Sequence, residues 1–476
     1  MSSATSARLR TPAVLRWLVA ATFVVILNET IMLTAIPRLM VDFGVSATGA
    51  QWLSTVFLLT LAVVIPITGW LLQQVTTRQA FLLAMGIFLA GTTLAAAAWA
   101  FPVLLVARAI QAAGTAVMMP LLMTTLMNVV PEQDRGRVMG NVTLAISVAP
   151  ALGPAVSGLI LQALSWRWIF LVVLPIAVFV TVGGLRRLTN VGSPGQVHVD
   201  WPSVALAAIG FGTLVYGLSE IGVAARKVIP AVLLLTGIVG VAAFVWRQLR
   251  LQRVERPLLD LRTLNLRVYR LAVSVMSLAF LGMLGSMILL QFYLQDVRGL
   301  TPLATGMLVM PGGLAMGFMG PRVGRWYDVH GARILIIPGA VALVVALSAL
   351  AFVGLDVPLA VILVIHVVLM MGLALLFTPM FTMGLGALPH RLYSHGSSLL
   401  GTLQQVAGAF GTALVVMVMS ARAASLSAAG ASPKAAQLGG MHWAFGVAAL
   451  LAVVVVVLVT RMPDRVHDPE PFDVPH

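Results

Sequence analysis

Along its 476 residues the chain alternates long apolar runs with short polar breaks. Fourteen runs approach the roughly 20 residues that a helix needs to cross a hydrocarbon core. They begin near Leu15, Ala50, Arg78, Pro102, Arg137 and Trp168, then near Pro202 and Ile229, and finally near Tyr269, Pro302, Ala332, Val357, Gly396 and Gly440. Pro and Gly interrupt several runs, which neighbouring helices make tolerable inside a membrane. The pattern predicts an all-α integral membrane fold of fourteen transmembrane helices, grouped six, two and six. The expected boundaries are an N-terminal segment 1–14, a first six-helix bundle 15–188, an inserted helix pair 189–250, a basic linker 251–268, a second six-helix bundle 269–462 and a tail 463–476.

Composition agrees with the pattern. Hydrophobic residues make up 60% of the chain and charged residues 9%, with a mean hydropathy of +1.02, whereas a soluble domain carries about a quarter charged residues. The first apolar run is too long for a secretory signal and lacks an A-x-A cleavage site, so it is expected to be a retained helix. The net charge of +14 would point to nucleic acid in a soluble protein. Here its placement explains it. Alternate breaks, counted from the N-terminus, hold 21 Arg residues, and the opposite breaks hold seven Arg or Lys. Basic residues accumulate on the cytoplasmic side, so both termini are expected in the cytoplasm. Interleaved aromatic and basic stripes are missing, and no nucleic-acid partner is expected. The 27 Arg to two Lys hint at a GC-rich bacterial genome and hence a bacterial inner membrane. The segment from Gln248 to Arg270 spaces Leu249, Leu251, Leu258, Leu259, Leu261, Leu264 and Leu266 among arginines. It reads as an amphipathic surface helix on anionic lipid headgroups, or else as a solvated basic loop.

The two outer blocks echo each other. Gly69-Trp-Leu-Leu-Gln73-Gln74-Val-Thr76-Thr77-Arg78 follows the second run, and Gly324-Arg-Trp-Tyr-Asp328-Val-His-Gly331-Ala-Arg333 follows the tenth. The second copy resembles the loop signature G-x-x-x-D-x-x-G-x-R of the major facilitator superfamily; the first carries Gln73 for the Asp and Thr76 for the Gly. Other segments are similar to the fourteen-helix drug:proton antiporter branch of that superfamily. They include Leu27-Asn28-Glu29-Thr30-Ile31 with Ala35-Ile36-Pro37, Gln51-Trp52, and the stretch Leu105 to Gly114 around Arg108 and Gln111. Ala149-Pro150-Ala-Leu-Gly153-Pro154-Ala-Val-Ser157-Gly158, Ser165 to Phe170 and Pro257 to Arg262 complete the set. The L-N-E-T opening and the T-T-R-Q turn are closest to the lincomycin-resistance type. The resemblance implies two bundles that alternate access, and an antiporter motif at Pro150, Gly153, Pro154 and Gly158. It also implies a conformational lock in the loops of Gly69, Arg78, Gly324, Asp328, Gly331 and Arg333, built as a charge network between the Asp and the Arg residues. Gln73 puts that lock in doubt in the first half.

Candidate chemistry concentrates in few residues. Of 15 acidic residues only Glu29 falls well inside an apolar run, and an intramembrane carboxyl is costly enough to be a functional candidate by default. An apolar surrounding favours its protonated form and a neighbouring cation its charged form. Glu29 is therefore read as the proton-coupling site, against the alternative of a carboxyl held permanently by Asn28 or Thr30. Arg108 is the basic residue well inside a run. Helical rise places it at a similar depth to Glu29, so that the two are expected to pair, unless Arg108 merely bonds backbone carbonyls. Pro150, Gly153, Pro154 and Gly158 are expected to form a tight, pliable interface with the second bundle. Asn28, Gln51, Gln111, Gln291, Gln404 and Gln405 are candidate substrate contacts, against a role as interhelical hydrogen bonds; Asn128 and Asn141 are candidates of the same kind. His366 is either a proton relay or a core histidine. The 24 Met residues suit a promiscuous apolar pocket or simple packing.

Enzyme signatures are absent: no G-x-x-x-x-G-K-[ST], H-E-x-x-H or G-x-S-x-G occurs. No cysteine is present, which excludes disulfides and thiolate metal sites, and no cofactor is expected. The reading is a proton-driven exporter of lipophilic, neutral or cationic small molecules. Its partners are the substrate, protons and membrane lipids, and it is expected to be a monomer. A dedicated exporter or flippase of an endogenous lipid, peptide or metabolite remains the alternative.

Overall fold

A computed structural model describes residues 13–191, 199–221 and 228–465. The expected N-terminal segment and tail, and the loop cations Arg8, Arg10, Arg226 and Lys227, lie wholly or largely outside these residues. Fourteen long helices account for the fold, each long and apolar enough to cross a membrane. The first bundle comprises α1 (Ala13–Phe43), α2 (Ala47–Gln74), α3 (Thr77–Ala96), α4 (Phe101–Val129), α5 (Arg135–Ala163) and α6 (Arg167–Arg187). The inserted pair is α7 (Trp201–Ser219) and α8 (Val228–Gln252). The second bundle comprises α9 (Arg267–Phe292), α10 (Pro302–His330), α11 (Arg333–Leu350), α12 (Leu359–Gly386), α13 (Tyr393–Ala428) and α14 (Pro433–Thr460). Every start lies within seven residues of its expected position.

Local chemistry sets these starts. Thr76 and Gln79 form a reciprocal capping box at α3, the Gln79 N–H donating to Thr76 Oγ1 at 3.3 Å and the Thr76 N–H to Gln79 Oε1 at 2.9 Å. Thr301-Pro302 and Ser432-Pro433 place a hydroxyl cap and a first-turn proline at α10 and α14. Because the number of helices is even, both described chain ends lie on one face of the molecule, called here the terminal face.

The bundles meet along two seams, α5 against α10 and α2 against α13, with α4–α13 and α5–α12 contacts between them. The α5–α10 seam is backbone on backbone. A Cβ at Gly140 or Gly324 would strike the carbonyl of Gly320 or Gly136, and Gly313 and Gly317 pack on Ala151 and Val148. Between apolar helices in lipid such small residues provide close van der Waals contact where no hydrophobic drive exists.

The inserted pair is joined equally closely, Gly210 on Gly240 and Gly237 on Leu214. Its α7 leans on both α2 and α13, with the Tyr216 and Trp52 ring centres 5.2 Å apart and the rings tilted. At its terminal-face end Asp200 accepts two bonds of 2.6 Å from Arg247 and further bonds from the Ser203 N–H and hydroxyl. The linker corrects the expectation of a surface helix. After Gln252 the chain turns through Glu255 at φ 54 and forms only a short 3-10 turn, Leu261–Asn265. Leu258, Leu259 and Leu266 point inward and are buried, so the leucine spacing serves the protein interior and not the lipid.

Two outcomes are expected. Gly140→Val should destabilise the folded protein by about 1–3 kcal/mol, the usual cost of forced overpacking, read as a lowered thermal unfolding temperature in detergent. The Asp200 carboxyl is held at about 2 against its ordinary 3.8, first by its bonds from Arg247. A depressed carboxyl stabilises the fold above its unfolded value and loses that contribution on acidification. The stability difference between wild type and Asp200→Asn should therefore be constant above pH 4 and vanish as pH falls from 3.8 to about 2, measured by acid unfolding of both proteins side by side.

Candidate functional site

Glu29 sits at the middle of α1, half-buried, on the interior of the first bundle. Neither neighbour holds it. Thr30 donates its hydroxyl to the Ile26 and Leu27 carbonyls at 3.2 and 3.1 Å. Asn28 is wholly buried with both amide atoms unpartnered. Among the described residues Glu29 makes no hydrogen bond and no ion pair.

Arg108 is 1% exposed and anchored elsewhere. Its Nε donates to the Leu53 carbonyl at 3.4 Å, its Nη1 to Gln111 Oε1 at 3.0 Å, and its guanidinium lies 4.2 Å from the Phe57 ring centre. The expected direct pair with Glu29 is thus not formed. The two groups are still near enough for each to feel the other's charge. Helical rise gives the two a similar expected depth but says nothing about facing, and the Arg108 side chain turns to α2.

The candidate amides separate by location. Gln111 is consumed inside the first bundle, where its Nε2 donates to Thr92 Oγ1 at 3.0 Å while its Oε1 receives Arg108. Gln51 and Gln291 are exposed toward the ends of α2 and α9 opposite the terminal face. Gln404 and Gln405 lie half-buried within α13. Gln405 is one turn beyond Gly401, which packs on Ile65 of α2, so it lies along the seam between bundles. His366 is buried where α12 crosses α10, its ring filling the space beside Gly312, which is a packing position.

The motif on α5 works in two directions. Gly153 faces α1, and the Thr30 side chain occupies the space where its Cβ would stand. Pro154 and Gly158 face α10, against Gly306 and Leu303, while Pro150 is half-buried within the helix. One helix therefore joins the residue after Glu29 to the second bundle.

At the terminal face the echoed loops reach across the seams. The Asp328 carboxylate accepts from the Gly136 and Arg137 N–H groups at 2.9 and 2.7 Å, capping α5. An anion at a helix N-terminus meets both unpaired N–H groups and the positive end of the helix dipole. Gly324 packs on Gly136, and Gly331, at φ +83, leaves room for Asp464. Arg333 donates its N–H to Asp464 Oδ1 at 3.0 Å and its Nε to the Met462 carbonyl at 3.1 Å. The expected Asp–Arg charge network is accordingly replaced here by a helix cap and a separate Arg333 anchor. In the first half, Gly69 packs on His395 and Leu259, and Gln73 Nε2 donates to the Arg391 carbonyl at 3.2 Å. The Arg78 side chain is exposed, and its N–H donates to Asn190 Oδ1 at 3.2 Å.

Further bonds between bundles join Thr68 to Ser398 (2.7 Å), Thr124 to Ser397 (3.0 Å) and Thr143 to Thr378 (3.0 Å). Arg135, bonded to the Met127 and Val130 carbonyls, also reaches Tyr393 Oη at 3.4 Å. All these lie in the terminal-face half of their helices, and among the described residues none is found in the far half. The molecule is therefore shut at the terminal face. Sequence reasoning missed Arg135, Tyr393, Ser397 and Ser398; the one available signal was that Arg135 and Tyr393 open helices directly opposite the echoed loops.

Comparison with known proteins places this architecture. The family model described as Major Facilitator Superfamily matches residues 18–412. The chain is 40% identical to the uncharacterized MFS-type transporter YcnB of Bacillus subtilis, over 95% of this chain and 96% of that protein. It is 36% identical to the lincomycin resistance protein LmrB of Listeria monocytogenes, over 86% of each. The solved structure of the human organic anion transporter MFSD10 covers 94% of this chain, and 98% of its own length is matched, with a TM-score of 0.67 at 14% identity. That of the proton:xylose symporter XylE covers 95% of both chains with a TM-score of 0.66 at 14% identity. The chain is a multi-pass membrane transporter, not an enzyme, and it belongs to the major facilitator superfamily.

Proposed function

We propose that the protein is a proton-coupled exporter of lipophilic, neutral or cationic small molecules, with Glu29 as the group that exchanges proton for substrate. The observation that carries this reading is a single intramembrane carboxyl that is half-buried and, among the described residues, has no hydrogen-bond or ion-pair partner. A structural carboxyl at that depth would be expected to be paired or hydrogen-bonded, because an unsatisfied one is costly. A group that must gain and lose a proton in each cycle has to stay reachable.

The Arg distribution makes the terminal face cytoplasmic, so the closed seam corresponds to an outward-facing state in a bacterial cytoplasmic membrane. In this state Glu29 takes a proton from the outside. Neutralised, it no longer resists enclosure in a low-dielectric interior, and the bundles rock to expose it inward. There the proton leaves, and the carboxylate left behind attracts cationic or polarised cargo. Because one carboxyl serves both, proton and cation are never carried together. Thr30 against Gly153 gives α1 a mechanical connection to the α5–α10 seam, and Gln404 and Gln405 supply polar contacts to cargo between the bundles. Arg108, held by Leu53 and Gln111, acts on Glu29 through its field. Relatives named for lincomycin and multidrug resistance support drug-like cargo, and the protein functions as a monomer among lipids.

Glu29→Gln fixes the neutral state without changing side-chain volume. In inverted membrane vesicles it should reduce efflux driven by a pH gradient to the level of vesicles lacking the protein, with an unchanged thermal unfolding temperature. Gradient-driven efflux at the wild-type rate by this variant removes Glu29 from the mechanism. Cells expressing the wild type should lose drug tolerance when the pH gradient is collapsed.

A further inference from the structure

The two echoed loops close the terminal face by unequal means. On one seam Asp328 places a carboxylate on two N–H groups of α5. Four residues beyond Gly69, at the position matching Asp328, Gln73 offers a single neutral bond to a carbonyl. What fills the difference is a segment from outside both bundles. Gly69 lies against Leu259: a Cβ there would sit 3.3 Å from Leu259 Cδ1 and 3.0 Å from His395 Nδ1 of α13. Leu259 therefore occupies the corner where the first bundle, the second bundle and the linker meet.

Leu259 is held in that corner by the inserted helix pair. Gln248 of α8, fully buried, accepts from the Leu258 and Leu259 N–H groups at 2.8 and 3.2 Å. Its Nε2 donates to Ser203 Oγ of α7 at 2.8 Å, and Ser203 donates in turn to Asp200, which grips Arg247. On the other side buried Asp260 accepts from the Arg262 N–H and side chain and from Gln252, and Arg262 also grips Glu255. Both backbone N–H groups preceding Asp260 are thus fixed to α8, and the turn after it is fixed by its own ion pairs.

We propose that this strap, residues 253–266, is the second half of the terminal-face lock, and that the inserted helices serve to hold Leu259 against Gly69 while the seam is closed. Opening requires α2 to part from α13, and Gly69 must then leave Leu259 and His395 together. Leu259 and Gln248 are positioning residues: they touch no cargo, and act by setting how readily the α2–α13 seam opens. The inference rests on the alternating-access reading above, and its test separates the two.

The chain has no cysteine, so Ser397→Cys, buried in the α4–α13 contact, reports opening by its rate of maleimide alkylation. On that background Leu259→Ala and, separately, Gln248→Met should each raise the rate severalfold in membranes, with Asp328→Asn as the comparison on the opposite seam. Faster labelling in Asp328→Asn but wild-type rates in both strap variants overturns the strap proposal and leaves alternating access standing. Wild-type rates in all three overturn both. Should Leu259→Ala fail to fold, Gln248→Met decides alone, because it keeps the leucine and removes the two bonds that seat it, together with the one to Ser203.

Discussion

The contact on which the closed state depends is that of α5 with α10, where glycines bring two backbones together and Asp328 caps the helix it touches. In lipid, apolar side chains gain nothing from meeting one another as opposed to acyl chains, so a seam between bundles must be held by fit and by polar bonds. Gly136, Gly140, Gly320 and Gly324 supply the fit. Asp328 supplies a charge-assisted bond whose partners, the first N–H groups of α5, have no intrahelical acceptor. The cap satisfies groups on one bundle with a side chain of the other, so it is lost whenever the seam opens. That makes it a term that distinguishes two conformations, which is what a lock requires.

The molecule's approximate internal repeat would make the α2–α13 seam a second copy of the same device, and it is not one. With Gln73 in place of a carboxylate, the helix-dipole contribution disappears. The inserted pair and its strap bring leucines, a buried amide and an ion-pair cluster to that place instead. One seam thus closes on a charge and the other on packed apolar surface.

How far the sequence reveals this architecture depends on which physical quantity each feature obeys. Spans were legible because burial in hydrocarbon demands a length and an apolarity that few other structures need. The grouping of six, two and six was read from the same runs, with the echoed Gly69 and Gly324 loops in support. Facing was not legible. Glu29 and Arg108 share a depth that helical rise predicts, yet the guanidinium turns to Leu53 and Gln111 because rotation about the axis and tilt are set by neighbours. Gln111 and Gln405 look alike in sequence, and only packing separates an internal bond to Thr92 from a seam position. The strap failed for a related reason. Leucines spaced among arginines satisfy a surface helix and a buried turn equally well, and the choice fell to Gln248, whose side chain seats two backbone N–H groups that a helix would have paired internally.

The placement of the α5 motif joins chemistry to motion more directly than any single residue. Gly153 admits the Thr30 side chain, while the next residue, Pro154, and Gly158 beyond it meet α10. A shift of α1 at that level must therefore move α5 or open a gap beside Gly153. Close-packed contacts of this kind do not deform smoothly; they hold one arrangement or move to another. The prolines at 150 and 154 remove backbone bonds that would otherwise stiffen α5 at that level. On the proposed reading, Glu29 of α1 and the contact at α10 are thus connected through α5, by way of Thr30 against Gly153, so that a change of charge at the first reaches the second through packed side chains.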